Sequence, residues 1–260
     1  MVQLDLDNRG LAESYDTLSD SQFDNGRRLV EKLGITGRET VLDIGCGTGR
    51  LGFHVLEKIG PAGRFIGIDP LEERVRIANG KNRHANAEFR IGVGEDLGFI
   101  EGNSVDAVYL SAVFHWITDK PKALREIHRV LKAGGRVGLT TGARELAPIA
   151  CFRTVTDRVL RRPPFNEVVK IEEYVTAQHG VTSTQLVQLF LDAGLAVQRL
   201  EIRKNIRTYR SGHDVVAFLE SSTFGNYLNH VPELLRERAR REIEDEFDAS
   251  RGADGIPLTG

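Results

Sequence analysis

The chain has 260 residues, 40% hydrophobic and 28% charged, the balance of a soluble globular protein with room for one large domain or two small ones. Its net charge of −2, from 35 basic and 37 acidic residues, argues against a general electrostatic grip on nucleic acid or an anionic membrane. No apolar run nears the roughly 18 residues of a spanning helix, the start lacks the pattern of a signal peptide, and the two cysteines, Cys46 and Cys151, fit neither a disulfide framework nor a zinc site, so a reducing, cytoplasmic setting is expected.

The N-terminal section has helical patterning, with a helix expected over 21–33, Asp20 as its cap and Gly34 past its end. Residues 40–44 (TVLDI) read as a buried strand that runs straight into Gly45-Cys46-Gly47-Thr48-Gly49, and 50–59 as a helix stopped by Gly60-Pro61. Strands follow at 64–68, 88–93 and 106–110, with a helix at 71–78. A helix over 120–131 is capped by Asp119, carries Pro121 in its first turn and precedes Gly134-Gly135 and a fifth strand at 136–141. Strands alternating with helices imply an α/β fold with a parallel sheet and helices on both faces. Beyond 142 the pattern changes: helices are expected at 147–160, 183–193, 213–219 and 232–247, with a strand candidate at 195–209. The chain is read as a single domain, 1–260, with N-terminal helices at 1–38, a core at 39–142, and a cover, sixth strand and C-terminal helices at 143–260.

Glycine is the one compositional excess, at 27 residues, and VLDIGCGTG at 41–49 is where it is most informative. Three glycines at alternate positions, between a strand and a helix, let the backbone turn sharply and let a ligand lie against it. Asp69 stands 20 residues after Gly49, at the end of the next strand, where a carboxylate accepts hydrogen bonds from both hydroxyls of a ribose. The spacing is G-x-G-x-G, not the G-x-G-x-x-G that seats a pyrophosphate, and Asp43 before it disfavours a pyrophosphate neighbour. An acid there suits a ligand with an ammonium or sulfonium group.

VLDIGCGTG, IGIDP, GVGEDL, VDAVYLSAVFHW and LKAGGRVGLTT together resemble the ordered motifs of class I S-adenosylmethionine-dependent methyltransferases with small-molecule acceptors, of the ubiquinone/menaquinone, trans-aconitate and malonyl-carrier-protein kinds. The resemblance covers about residues 15–209. It implies a Rossmann-like, doubly wound sheet with a helical cover over an acceptor pocket, S-adenosylmethionine as cofactor, and a domain of methyltransferase type 11. It places Asp43, Gly45, Cys46 and Gly47 along the methionine part of the cofactor, Asp69 and Pro70 at the ribose, Gly94 and Glu95 beside adenine, and Ser111 near the methionine end. Val93 departs from the pattern, since many members carry an aspartate there to reach the adenine amino group. Tyr15 resembles an N-terminal tyrosine that closes over the cofactor, the alternative being a helix-packing residue.

Phe114-His115-Trp116 follows the fourth strand, where the family passes near the transferable methyl. His115 is a candidate general base or orienting group, or else a packing or capping histidine; Phe114 and Trp116 read as pocket wall. Arg144, Arg153, Arg158, Arg161 and Arg162 form a basic stretch in which Arg144 would suit a carboxylate-bearing acceptor, the plain alternative being a solvated helix face. Cys46 reads as a small loop residue. No metal is expected, and too few cysteines are present for arsenite chemistry. Residues 236–246 read as a surface helix with i,i+4 pairs Arg238/Glu242, Arg240/Glu244 and Arg241/Asp245.

The expected function is therefore methyl transfer to a small molecule, with no nucleic-acid or membrane partner. A methyltransferase for macromolecules, a non-catalytic cofactor-binding regulator and a nicotinamide dehydrogenase are the alternatives. The family sheet has seven strands, and this chain shows no β-branched run after its last helix. Six core strands are thus expected, with the fifth strand's outer edge poorly covered or occupied by another segment such as 195–209 or 2–6, and truncation before a seventh strand is the favoured explanation.

Overall fold

The computed structural model describes residues 4–142, 144, 151–169, 180–203 and 206–259, the side chains of 151, 152 and 259 excepted. The described residues fall into two compact units, one within 20–144 and 180–201, the other within 4–19, 151–169 and 202–259.

The first unit holds strands β1 (Thr40–Ile44), β2 (Arg64–Asp69), β3 (Ala87–Ile91), β4 (Val105–Ser111) and β5 (Leu131–Thr140), all parallel, in the order β3-β2-β1-β4-β5. Chain order reverses between β1 and β4, so a crevice opens at their carboxyl ends, the usual ligand position in such sheets. Alternate residues serve opposite faces. Val41, Phe65, Ala107 and Tyr109 pack among residues of α2 (Asp20–Leu33), α3 (Arg50–Ile59) and α4 (Glu72–Lys81). Leu42, Ile44, Ile66, Ile68, Val108 and Leu110 pack with α5 (Lys120–Val130) and a later helix, Ser183–Asp192. Burial on both faces explains why these strands read as continuous apolar runs. The cap of α5 is as expected: the Asp119 side chain accepts from the Lys122 amide, with Pro121 in the first turn. Asp20 lies inside α2 instead of capping it, its carboxylate 2.5 Å from an Arg50 guanidinium nitrogen.

The second unit contains α1 (Arg9–Leu18), α6 (Cys151–Leu160), α8 (Gly212–Ser222) and α9 (Glu233–Ala249), the helix Ser183–Asp192 of the first unit being α7. One stripe of α9, Ala239, Ile243 and Phe247, is buried with Val215, Val216 and Leu219 of α8. The expected surface helix is thus a core helix with a charged outer face. Of its three expected pairs only Arg238–Glu242 forms among the described residues, at 2.7 Å; Arg240 reaches across to Glu220 of α8, at 2.6 Å. Glu246 of α9 takes both Arg158 (2.8 Å) and Arg162 (2.7 Å), so these two members of the basic stretch are paired within their own unit.

Two strand expectations need correction. The sheet of the first unit has five strands, not six. Among the described residues of the 195–209 candidate, only Ile206–Tyr209 (β6) forms a strand, and it pairs antiparallel with Ile256–Thr259 (β7) in a separate two-stranded sheet. Strand β7 escapes a search for β-branched runs because it carries Pro257, tolerated in so short an edge strand, and only two inward residues, Ile256 and Leu258, both buried. Residues 195–203 join no ladder, and Val197, Leu200 and Ile202 are exposed. The second expected occupant of the β5 edge also fails: Leu4–Leu6 is a 3-10 helical turn, residues 2 and 3 lying outside the described residues. So do 147–150, the start of one expected helix.

Candidate active site

The glycine loop leaves β1 and curls back over the end of β2. The amides of Gly45 and Cys46 both donate to the Ile68 carbonyl, at 2.7 and 2.9 Å, and the Gly49 amide closes on the Cys46 carbonyl at 3.0 Å. Gly45, Gly47 and Gly49 have φ of +81°, +54° and +81°, the left-handed region that glycine enters without a Cβ penalty. A Cβ on Gly45 would lie 2.1 Å from Val113, so this glycine is needed for close approach as well as for conformation. A Cβ on Gly47 would meet no atom within 4 Å; this side of the loop is open.

Two acids converge here. The Asp69 carboxylate accepts from the Gly47 amide through Oδ2 and from the Leu71 amide through Oδ1, each at 2.9 Å. Asp43 lies in register with Gly67 of β2 on one side and Tyr109 of β4 on the other. It is 2% exposed, and the Tyr109 hydroxyl donates to its Oδ2 at 2.7 Å. Burial, with the Asp69 charge nearby, pushes the Asp43 carboxyl up to about 8 against the pull of the Tyr109 hydrogen bond. Burial likewise lifts the Cys46 thiol, so Cys46 is an unreactive loop residue.

Strand β4 ends in a strained turn. Ala112 has φ of +59°, unusual for a residue with a Cβ, and its amide donates to both the carbonyl and the hydroxyl of Thr140, at 3.0 Å each. The turn lays Val113 on Gly45 and leads into a 3-10 turn, Phe114–Trp116. Phe114 is fully buried in the core beneath α5, with the Lys120 ammonium 5.5 Å from its ring centre. His115 and Trp116 are half-buried, their rings 5.2 Å apart, and His115 Nδ1 lies 3.1 Å from the Thr141 hydroxyl. Burial, and then the Lys120 charge, push the His115 imidazole down to about 4.

The remaining expected residues are placed as follows. Gly94 is buried against Ile44. Glu95 accepts from the Thr118 amide at 3.1 Å, tying the turn after β3 to the start of α5. Ser111 ends β4, and Gly26 of α2 is what leaves room for it: a Cβ on Gly26 would lie 2.9 Å from the Ser111 hydroxyl. Pro70 is exposed beside Asp69. Arg144 is exposed, its amide bonded to the Val181 carbonyl. Tyr15 lies on α1, in the other unit. The site residue that sequence reading missed is Tyr109; the signal was a hydroxyl-bearing residue inside the buried run VDAVYL, whose partner only strand register reveals.

Residues 42–139 match the family described as "Methyltransferase domain". Over these residues the chain is similar to a methyltransferase domain. The chain is 36% identical over 113 residues to a demethylmenaquinone methyltransferase of Lactococcus lactis, covering 42% of this chain and 44% of that protein. It is 28% identical to an arsenite methyltransferase of Aquipseudomonas alcaligenes, covering 65% and 53%, and 28% identical to an uncharacterized protein in a Streptomyces fradiae transposon, covering 81% and 59%. The chain spans about half the length of the curated relatives it matches. Among solved structures, the YcgJ protein of Bacillus subtilis has the same fold, with a TM-score of 0.58 at 20% identity, covering 90% of this chain and 92% of that one. None of the described helices is long and apolar enough to cross a membrane, and the described residues form no cluster of metal-ligating groups.

The residues present fit the cofactor that this family name carries. The open side of Gly47, a buried acid without a cationic partner among the described residues, and a second acid at the end of β2 match a ligand with a cationic methionine end and a ribose diol. The titration of Asp43 has a consequence for stability. A carboxyl whose folded value is about 8, against an ordinary 3.8, binds its proton more tightly in the folded chain, so it costs stability increasingly as pH rises from about 4 towards 8. Asp43→Asn is accordingly expected to stabilise the unliganded protein by more than about 1 kcal/mol at pH 8 and by little at pH 4. Urea denaturation at the two pH values measures this; equal effects at both would show that Asp43 is not held protonated.

Proposed function

We propose that the protein is a methyltransferase that uses S-adenosylmethionine to methylate a small-molecule acceptor without a metal. The observation that carries this reading is the convergence of Asp43, Asp69 and the open glycine loop at the carboxyl ends of β1 and β2. When bound, the cofactor supplies a sulfonium methyl open to in-line displacement. Asp69 grips the ribose; Gly45 and Gly47 let the backbone lie against the methionine portion; Asp43 balances its positive charge. Gly94 and Glu95 border the adenine. Ser111 lies near the methionine end, His115 and Trp116 face the acceptor, Phe114 supports them from the core, and Arg144 is reserved for an acceptor carboxylate. Placing the acceptor about 3 Å from the methyl would supply much of the rate.

The near-neutral charge favours a small acceptor over nucleic acid. The likeness to arsenite methyltransferases does not carry their substrate here, since the chain has two cysteines and the Cys46 thiol is buried and held protonated. The test is release of S-adenosylhomocysteine across a metabolite panel. Turnover with one member supports the reading; cofactor binding with no turnover on any metabolite, peptide or RNA would favour a regulatory binding protein.

His115 gives a sharper expectation. With its imidazole near 4, it is neutral throughout the physiological range and acts as a hydrogen-bonding partner or weak base. His115→Ala is expected to lower kcat about tenfold to a hundredfold with cofactor Kd unchanged. The wild-type kcat profile should show no step near pH 6.5 that vanishes in the variant. Unchanged kcat would return His115 to a packing role.

A further inference from the structure

Asp43 is a carboxyl group placed where no cation meets it. On the β4 side its neighbour is the Tyr109 hydroxyl, and on the β2 side Gly67 has no side chain to offer. The other titratable groups acting on it are Asp69, at the end of β2, and the Cys46 thiol of the glycine loop. No charged side chain of α2, α3 or α4, the helices packed on this face, is among those groups, and none of the described ion pairs involves Asp43. An ionised carboxylate buried among neutral and acidic groups is costly, so Asp43 keeps its proton. Tyr109 is a donor to Asp43 and is itself fully buried, which fixes its hydroxyl in place. A donor to a carboxylate favours the ionised form.

We propose that Tyr109 is a positioning residue which aims Asp43 at the cationic methionine end of the cofactor, and that cofactor binding drives a proton off Asp43 into solvent. The inference rests on the reading that this loop holds S-adenosylmethionine. Charge balances: the neutral carboxyl becomes a carboxylate, the proton leaves to buffer, and the ligand's positive charge takes its place as counter-ion. Because release of one proton accompanies binding, affinity for the cation rises with pH, about tenfold per unit, until Asp43 is ionised in the free protein.

Isothermal titration calorimetry at pH 6.5, in two buffers of different ionisation enthalpy, counts the proton directly. Close to one proton is expected to leave per S-adenosylmethionine bound. None is expected with 5′-methylthioadenosine, which lacks the sulfonium and the amino-acid portion, or with S-adenosylmethionine binding to Asp43→Asn. Tyr109→Phe keeps the ring and removes the hydroxyl. It is expected to bind S-adenosylmethionine about tenfold more weakly at pH 6.5, and its affinity should go on rising to a higher pH than the wild type's. A purely structural tyrosine would lower affinity equally at every pH, and that result overturns its positioning role. S-adenosylmethionine binding to the wild type without proton release overturns the linkage while leaving the cofactor reading intact. Failure of the wild type to bind S-adenosylmethionine at all would overturn both.

Discussion

Gly45→Ala is expected to lower stability by about 2–4 kcal/mol and to abolish measurable cofactor binding. Two costs combine. The new Cβ sits at φ +81°, a conformation that costs an L-residue roughly 1–2 kcal/mol. It also lies 2.1 Å from Val113 Cγ2, and overpacking of this kind costs roughly 1–3 kcal/mol. Val113 cannot move off freely, because it leaves the strained Ala112 turn, itself held by two bonds to Thr140. Relief therefore falls on the loop, and displacing the loop breaks the Gly45 and Cys46 bonds to Ile68 that shape the cofactor face. A urea midpoint within experimental error of the wild type's, with Kd unchanged, would show that Val113 is not packed on the loop.

Asp69→Ala is expected to weaken S-adenosylmethionine binding at least about tenfold, since hydrogen bonds to a charged group are worth roughly 1.5–3 kcal/mol each. From sequence alone the fold would be expected to survive this change untouched. The bonds from Gly47 and Leu71 alter that, because both amides lose their acceptor in a buried setting, at roughly 1–3 kcal/mol per orphaned group. Stability should fall together with affinity. Asp69→Asn, which keeps one acceptor oxygen, should lose less of both. Calorimetry and denaturant unfolding on the two variants check this; an Asp69→Ala protein with wild-type affinity would remove Asp69 from the ribose.

The reach of sequence reading differs from residue to residue, for physical reasons. Asp43, the alternate glycines and Asp69 were legible because their roles follow from spacing along a strand, turn and helix that local propensity already determines. The five parallel strands were legible as apolar runs bounded by turn residues. Tyr109 was not, since its meaning lies in the register of β1 against β4, which no local pattern encodes. The second duty of Asp69, holding the Gly47 and Leu71 amides, depends on how the loop folds back over β2. Strand β7 was hidden by Pro257 and by its shortness, and Arg240 was assigned to its own helix because the cross-helix partner Glu220 is 20 residues away.

The position of β5 at one end of the strand order has a kinetic reading. Strands β1 and β4 each have two neighbours, whereas β5 has one, so hydrogen exchange should reach the β5 amides through local fraying well before those of β1. Asp43 and Tyr109 stand on two of the three interior strands, while Thr141, the partner of His115, follows directly on edge strand β5. The two ends of the crevice therefore have different lifetimes. On the proposed assignment, the pair at the cofactor end should persist through openings that release His115 from Thr141.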